Sequence, residues 1–135
     1  MEVEDAAPLV GSAACAAVVA ALVAPLVLIP DPGTELGVYY AFGPAGATVV
    51  GVLAPLAVVV FLAGRRGRTD PATAAGLTLV LGVGMFVLAA LWAFAVDVEV
   101  VFSFSAAWMG SHRWAVLGLT LFVPASAAAY ARAVL

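Results

Sequence analysis

The sequence predicts an all-α integral membrane protein, a bundle of four helices, and three observations predict it. Of 135 residues, 66% are hydrophobic and 10% charged, at a mean hydropathy of +1.21; a soluble domain carries roughly 25% charged and 45–50% apolar residues. The apolar residues collect into four continuous runs of about 20 residues, the length that crosses ~30 Å of hydrocarbon as a helix. The five basic residues, all Arg, fall at the ends of those runs. A water-soluble chain this small cannot hide so much apolar surface, because a domain of roughly 150 residues leaves about a third of its unfolded surface exposed. A soluble enzyme, a nucleic-acid binder and a disordered chain are excluded. A single membrane domain over residues 1–135 remains.

The first span covers about residues 9–29 and is closed by Pro30-Asp31-Pro32-Gly33, a strong turn signal. Glu2, Glu4 and Asp5 precede it where a signal peptide needs positive charge. That start argues against cleavage and against lipidation at Cys15, which reads as a small residue packed in a helix. The second span, about 45–63, stops at Gly64-Arg65-Arg66. The third runs over 72–96, and Thr69-Asp70-Pro71 marks its start: Asp70 caps, and Pro71 takes the first helical position, where its missing N–H is harmless. The fourth covers 114–133. Continuous runs without period-2 alternation favour helices over barrel strands. Pro25, Pro55 and Pro124 lie inside spans and predict kinks that shape the helices.

Orientation follows from the arginines. Arg65, Arg66 and Arg68 lie between spans two and three, and Arg132 ends span four. The positive-inside rule puts these on the cytoplasmic side, so both termini are inside and Arg113 is the exception. The acidic N-terminus carries little weight in that rule.

Two longer external connections remain, and nine of the thirteen aromatic residues fall in or near them: Tyr39, Tyr40, Phe42, Trp92, Phe94, Phe102, Phe104, Trp108 and Trp114. They read as an interfacial belt, with an aromatic docking surface or pocket as the alternative. Val96-Asp97-Val98-Glu99-Val100 alternates apolar and acidic residues, and Phe102-Ser103-Phe104-Ser105 continues it. This pattern predicts a short β segment near 96–104, lying against residues 37–40. The competing expectation is an interfacial helix over 105–110.

Within a membrane, helices associate through small residues that let backbones approach. Ser12, Ala16, Ala20 and Ala24, and beside them Ala13, Ala17 and Ala21, recur every four residues in span one. They predict that span one is central and packs this face against span three or four.

The chemistry-bearing residues are few. The spans hold only Ser12, Cys15, Thr48, Thr73, Thr78, Thr120 and Ser126, with no carboxylate, His or Lys at depth for a proton relay or ion coupling. One His and one Cys fill no metal shell. His112-Arg113 reads as a lipid-headgroup or surface pair. Asp31, Glu35, Asp97 and Glu99 form an acidic outer surface, with a cation site as the alternative. Gly64-Arg65-Arg66-Gly67-Arg68 lacks the Lys-Ser/Thr ending of a phosphate loop and sets topology instead. No catalytic, cofactor-binding or metal residue is assigned, and no cofactor is expected.

Pro30-Asp31-Pro32-Gly33-Thr34 with Gly37-Val38-Tyr39-Tyr40, then residues 68–76, and His112-Arg113-Trp114 resemble small four-span membrane proteins of haloarchaea. The resemblance implies an archaeal plasma membrane and brings no active site. The function expected is that of a non-enzymatic accessory or structural membrane protein. Its contacts would be the lipid bilayer and a membrane-protein partner or a second copy, not nucleic acid. The alternative is a subunit of a small oligomeric transporter or channel.

Overall fold

A chain surrounded by hydrocarbon must pair its own backbone groups, and a helix does so within one segment. The computed structural model describes residues 2–30 and 33–135. Its helices are α1 (Val3–Leu28), α2 (Glu35–Ala41), α3 (Gly46–Arg65), α4 (Pro71–Ala95), α5 (Val98–Ser103) and α6 (Met109–Val134). Four of them, α1, α3, α4 and α6, are long and apolar enough to cross a membrane. No strand occurs among the described residues.

The expected start of the third span holds in detail. Asp70 caps α4, accepting from the Thr73 backbone N–H and from its hydroxyl, each at 3.1 Å, and Pro71 is the first helical residue. Gly67, at φ 73°, turns the chain out of α3 in the left-handed region that glycine adopts freely.

Elsewhere the elements differ from expectation. α1 starts at Val3, which brings Pro8 inside the helix and sets Glu4 and Asp5 in its first turn, where the helix dipole favours acids. α6 starts at Met109, not near residue 114. The predicted β segment is instead helix α5. Asp97 caps it by accepting from the Glu99 N–H at 3.0 Å, and this local bond outweighs a short alternating pattern. Residues 37–40, its expected partner strand, belong to α2, and no helix forms over 105–110 as a unit.

Each long helix packs mainly against two others: α1 against α3 and α6, and α4 against α3 and α6. Span one is therefore one side of a ring rather than its centre, and of the two expected partners only span four is adjacent. The inward faces repeat at alternating steps of three and four. In α1 the buried residues include Gly11, Cys15, Val18, Leu22 and Pro25; in α3, Ala47, Val50, Ala54, Ala57, Phe61 and Gly64. In α6 they include Met109, His112, Val116, Thr120, Val123, Ala127 and Tyr130. A repeat of 3.5 residues keeps one seam facing its neighbours in a left-handed supercoil. The face predicted for span one is turned only partly inward: Ala13, Ala16 and Ala20 are exposed on the outside of α1, while Ser12, Ala17, Ala21 and Ala24 are half-buried and Ala21 packs against the core.

Small residues set the closest approaches. A Cβ on Gly11 would overlap the Phe61 ring, so a larger residue there would make that ring shift. A Cβ on Gly82 would lie 2.7 Å from the Pro124 backbone N, which fixes how near α4 and α6 can come. Three buried hydroxyls bond to carbonyls of their own helices, whereas Ser12 Oγ is buried with no partner among the described residues. Thr78 donates to Ala74 O at 2.8 Å, Thr120 to Leu117 O at 2.7 Å and Ser126 to Phe122 O at 2.6 Å.

Candidate functional site

The short helices α2 and α5 pack on one another at one end of the long helices, α2 also against α3 and α5 against α6. This is the cap end; the opposite end carries Arg65, Arg66, Arg68 and Arg132 and is the arginine end.

The cap is bound to the long helices through a carbonyl that a proline has released. Pro25 has no N–H, so the residue four before it, Ala21, keeps a carbonyl oxygen without its helical donor. His112 of α6 supplies the donor, with Nε2 2.7 Å from Ala21 O. Because a carbonyl only accepts, Nε2 carries the proton, and the neutral ring is left with Nδ1 as an acceptor. The Tyr39 hydroxyl of α2 lies 2.9 Å from Nδ1 and donates to it. One imidazole thus joins α1, α2 and α6.

Aromatic packing encloses this bridge. Tyr39, Trp92 and His112 are buried. The Trp92 indole donates to Tyr39 O at 2.8 Å, tying α4 to α2. Tyr39 meets Trp92 edge-on with centroids 5.3 Å apart, and Phe104 edge-on at 5.7 Å. Edge-on contacts of this kind stabilise beyond the area they bury. Tyr40 donates to Leu22 O at 2.5 Å, one residue along α1 from the released carbonyl. Burial pushes both phenols above the ordinary tyrosine range, in Tyr39 against a smaller lowering by the Arg113 guanidinium. Both stay protonated as donors. With each His112 nitrogen engaged and the ring enclosed, the pair acts as a staple and offers no free base.

The expected surface pair is split: His112 turns inward, while Arg113 stays at the rim with its guanidinium 4.9 Å from the Trp114 ring centroid. The nine aromatic residues divide as well. Tyr39 and Trp92 are interior, whereas Phe94, Phe102, Trp108 and Trp114 remain exposed. Glu35, Asp97 and Glu99 line one cleft of about 270 Å³ between α2 and α5, together with Thr34, Val38, Val100 and Ser103. Asp31 lies outside the described residues, and no group of His, Cys, Asp or Glu able to hold a metal occurs among those described. Cys15 is fully buried.

At the arginine end the bonds are weaker. Arg65 Nε donates to Asp5 O at 3.2 Å in an exposed position. Gly64 lets Tyr130 and Ala74 close on the backbone, since a Cβ there would sit 2.6 Å from the Tyr130 hydroxyl.

The sequence carried one signal for His112 that hydropathy hides. Val116, Thr120, Val123 and Ala127 define the inward register of α6, and stepping four residues back from Val116 reaches His112. The released carbonyl at Ala21 was readable from Pro25 in the same way.

No curated protein and no solved structure matches the chain. A family model matches residues 1–135, and the chain therefore belongs to that family of unknown function, DUF7548.

Proposed function

We propose that the protein is a multi-pass component of an archaeal plasma membrane that works without catalysis, as a structural or accessory subunit. In this reading α1, α3, α4 and α6 form a four-helix membrane bundle with both termini inside and the cap outside, an orientation that four of the five arginines support. The observation that carries the reading is the outward face of α1. Ala13, Ala16 and Ala20 have the spacing that brings helices together, and the ring leaves them unused. The cap adds an exposed aromatic, Phe102 at 80% exposure, beside the acidic cleft. A membrane-protein partner or a second copy would meet these surfaces. The apolar buried cluster and the bonds of Thr78, Thr120 and Ser126 to their own helices support this reading over a channel subunit.

Ala20→Leu tests it. The residue points away from the ring, so a leucine leaves internal packing unchanged and reads only association between chains. In mild detergent the complex formed by the wild-type chain should dissociate at least tenfold more readily in the variant. An undiminished complex overturns the proposal.

A further inference from the structure

The arginine end holds a polar cleft of its own. Glu4 and Asp5 of α1, Gly64 and Arg65 of α3 and Tyr130 of α6 line a space of about 240 Å³ there. The chain has three tyrosines, and two of them give their protons to protein acceptors, Tyr39 to His112 and Tyr40 to Leu22 O. Tyr130 is as deeply buried, at 1% exposure, yet its hydroxyl has no hydrogen-bond partner among the described residues. That hydroxyl lies against Gly64, whose missing side chain leaves room for it, and both residues border the same cleft.

A buried ring is more stable as phenylalanine unless its oxygen is satisfied, so the partner of Tyr130 comes from the cleft. The helix dipole accounts for Glu4 and Asp5 in the first turn of α1, but it gives no reason for the phenol. Glu4, Asp5 and Asp70 lie within electrostatic reach of Tyr130, and Asp70 is already engaged in capping α4. Arg65 turns its Nε to the Asp5 main-chain oxygen rather than to a carboxylate.

From this we infer that the cleft binds a primary ammonium group, with Tyr130 Oη and the Glu4 and Asp5 carboxylates as its acceptors. Such a group carries three N–H donors and no acceptor, which three oxygen-bearing side chains match one for one. Two carboxylates and a phenol are too few for a bare calcium ion, which takes roughly six to eight oxygens. The ammonium reaches the cleft from either of two sources, a free amine or the headgroup of an aminophospholipid. The site does not depend on association between chains, so this inference and the proposed function fail separately.

The test titrates the full chain in non-ionic detergent with ethanolamine and with choline, which has the same charge but no N–H, and follows both by calorimetry. Wild type should bind one ethanolamine per chain, and choline at least tenfold more weakly. Tyr130→Phe keeps the ring and removes only the oxygen; it should weaken ethanolamine about tenfold, the size of one hydrogen bond to a charged group. Native mass spectrometry of the chain released from vesicles of equal phosphatidylethanolamine and phosphatidylcholine separates the sources. Selective retention of phosphatidylethanolamine, lost in Tyr130→Phe, assigns the group to a lipid headgroup; ethanolamine binding without that selectivity assigns it to a free amine. Equal binding of ethanolamine and choline by wild type overturns the inference without recourse to any variant. So does failure to bind either amine, or a Tyr130→Phe chain that binds ethanolamine as wild type does, which would leave the hydroxyl to water.

Discussion

The cap end and the arginine end of the same four helices are held by different forces. At the cap end, side chains from three helices converge on backbone oxygens: His112 on Ala21, Tyr40 on Leu22 and Trp92 on Tyr39. Toward the arginine end and the middle, contacts rest on glycine and alanine letting main chains approach, as at Gly82 with Pro124 and Gly64 with Ala74 and Tyr130. Directional bonds position a separate element precisely enough to dock a small cap. Close approach, which has no direction, fixes distances between helices but tolerates rotation. The cap end therefore specifies arrangement, and the rest of the ring specifies spacing.

The largest effect should come from breaking the spacing. Gly82→Val puts side-chain atoms where the Pro124 backbone sits, and neither main chain can turn aside as a flexible side chain could. We expect a loss of about 3 kcal/mol, the upper part of the overpacking range, measured as unfolding in detergent micelles. Stability equal to wild type would mean that α4 and α6 are not in tight contact at this point.

The ends of the long helices were legible where hydropathy falls sharply, but the starts of α1 and α6 were not, because both helices run on into polar residues; Asp70 was legible because its cap is a local bond. The inward faces were not. In this chain the outward residues Val52, Leu56, Val59, Leu77, Val80 and Val83 are as apolar as the interior, so hydropathy does not vary around a helix. Size does: Gly11, Ala54, Ala57, Gly64, Ala75, Gly82 and Ala89 face inward. Choosing by small-residue spacing alone selected a face of α1 that is partly outward, because alanine also lines the outside of that helix. His112 was missed for a related reason. A polar pair at the end of an apolar run marks a boundary by composition, while its register on α6 belongs to the interior.

The next effect isolates the directional end. His112→Ala leaves the Tyr39 hydroxyl and the Ala21 carbonyl without partners, for a loss of about 2 kcal/mol, with faster hydrogen exchange across Glu35–Ala41. Pro25→Ala restores an N–H that reaches Ala21 O, so removing His112 in that background orphans one group instead of two. A double-mutant cycle should give a coupling of about 1 kcal/mol between positions 25 and 112. Strict additivity would show that the proline and the histidine act independently, and the released carbonyl would lose its role.

The smallest effect at neutral pH is zero, and it sharpens the comparison by growing only at the cap. Tyr39 and Tyr40 are held above the ordinary tyrosine range, first by burial. Between about pH 10 and their raised folded values, the folded chain keeps protons that the unfolded chain has lost. Stability from this source is complete below about pH 10 and falls as pH rises through that window. Ionised Tyr39 no longer donates to His112 Nδ1, so the amides of α2 should lose exchange protection there before those in the middle of α4. Tyr39→Phe removes both the bond and its titration. That variant should be less protected at neutral pH and show a weaker alkaline loss. An unchanged alkaline transition would assign it to groups away from the cap and leave the staple without a titratable partner.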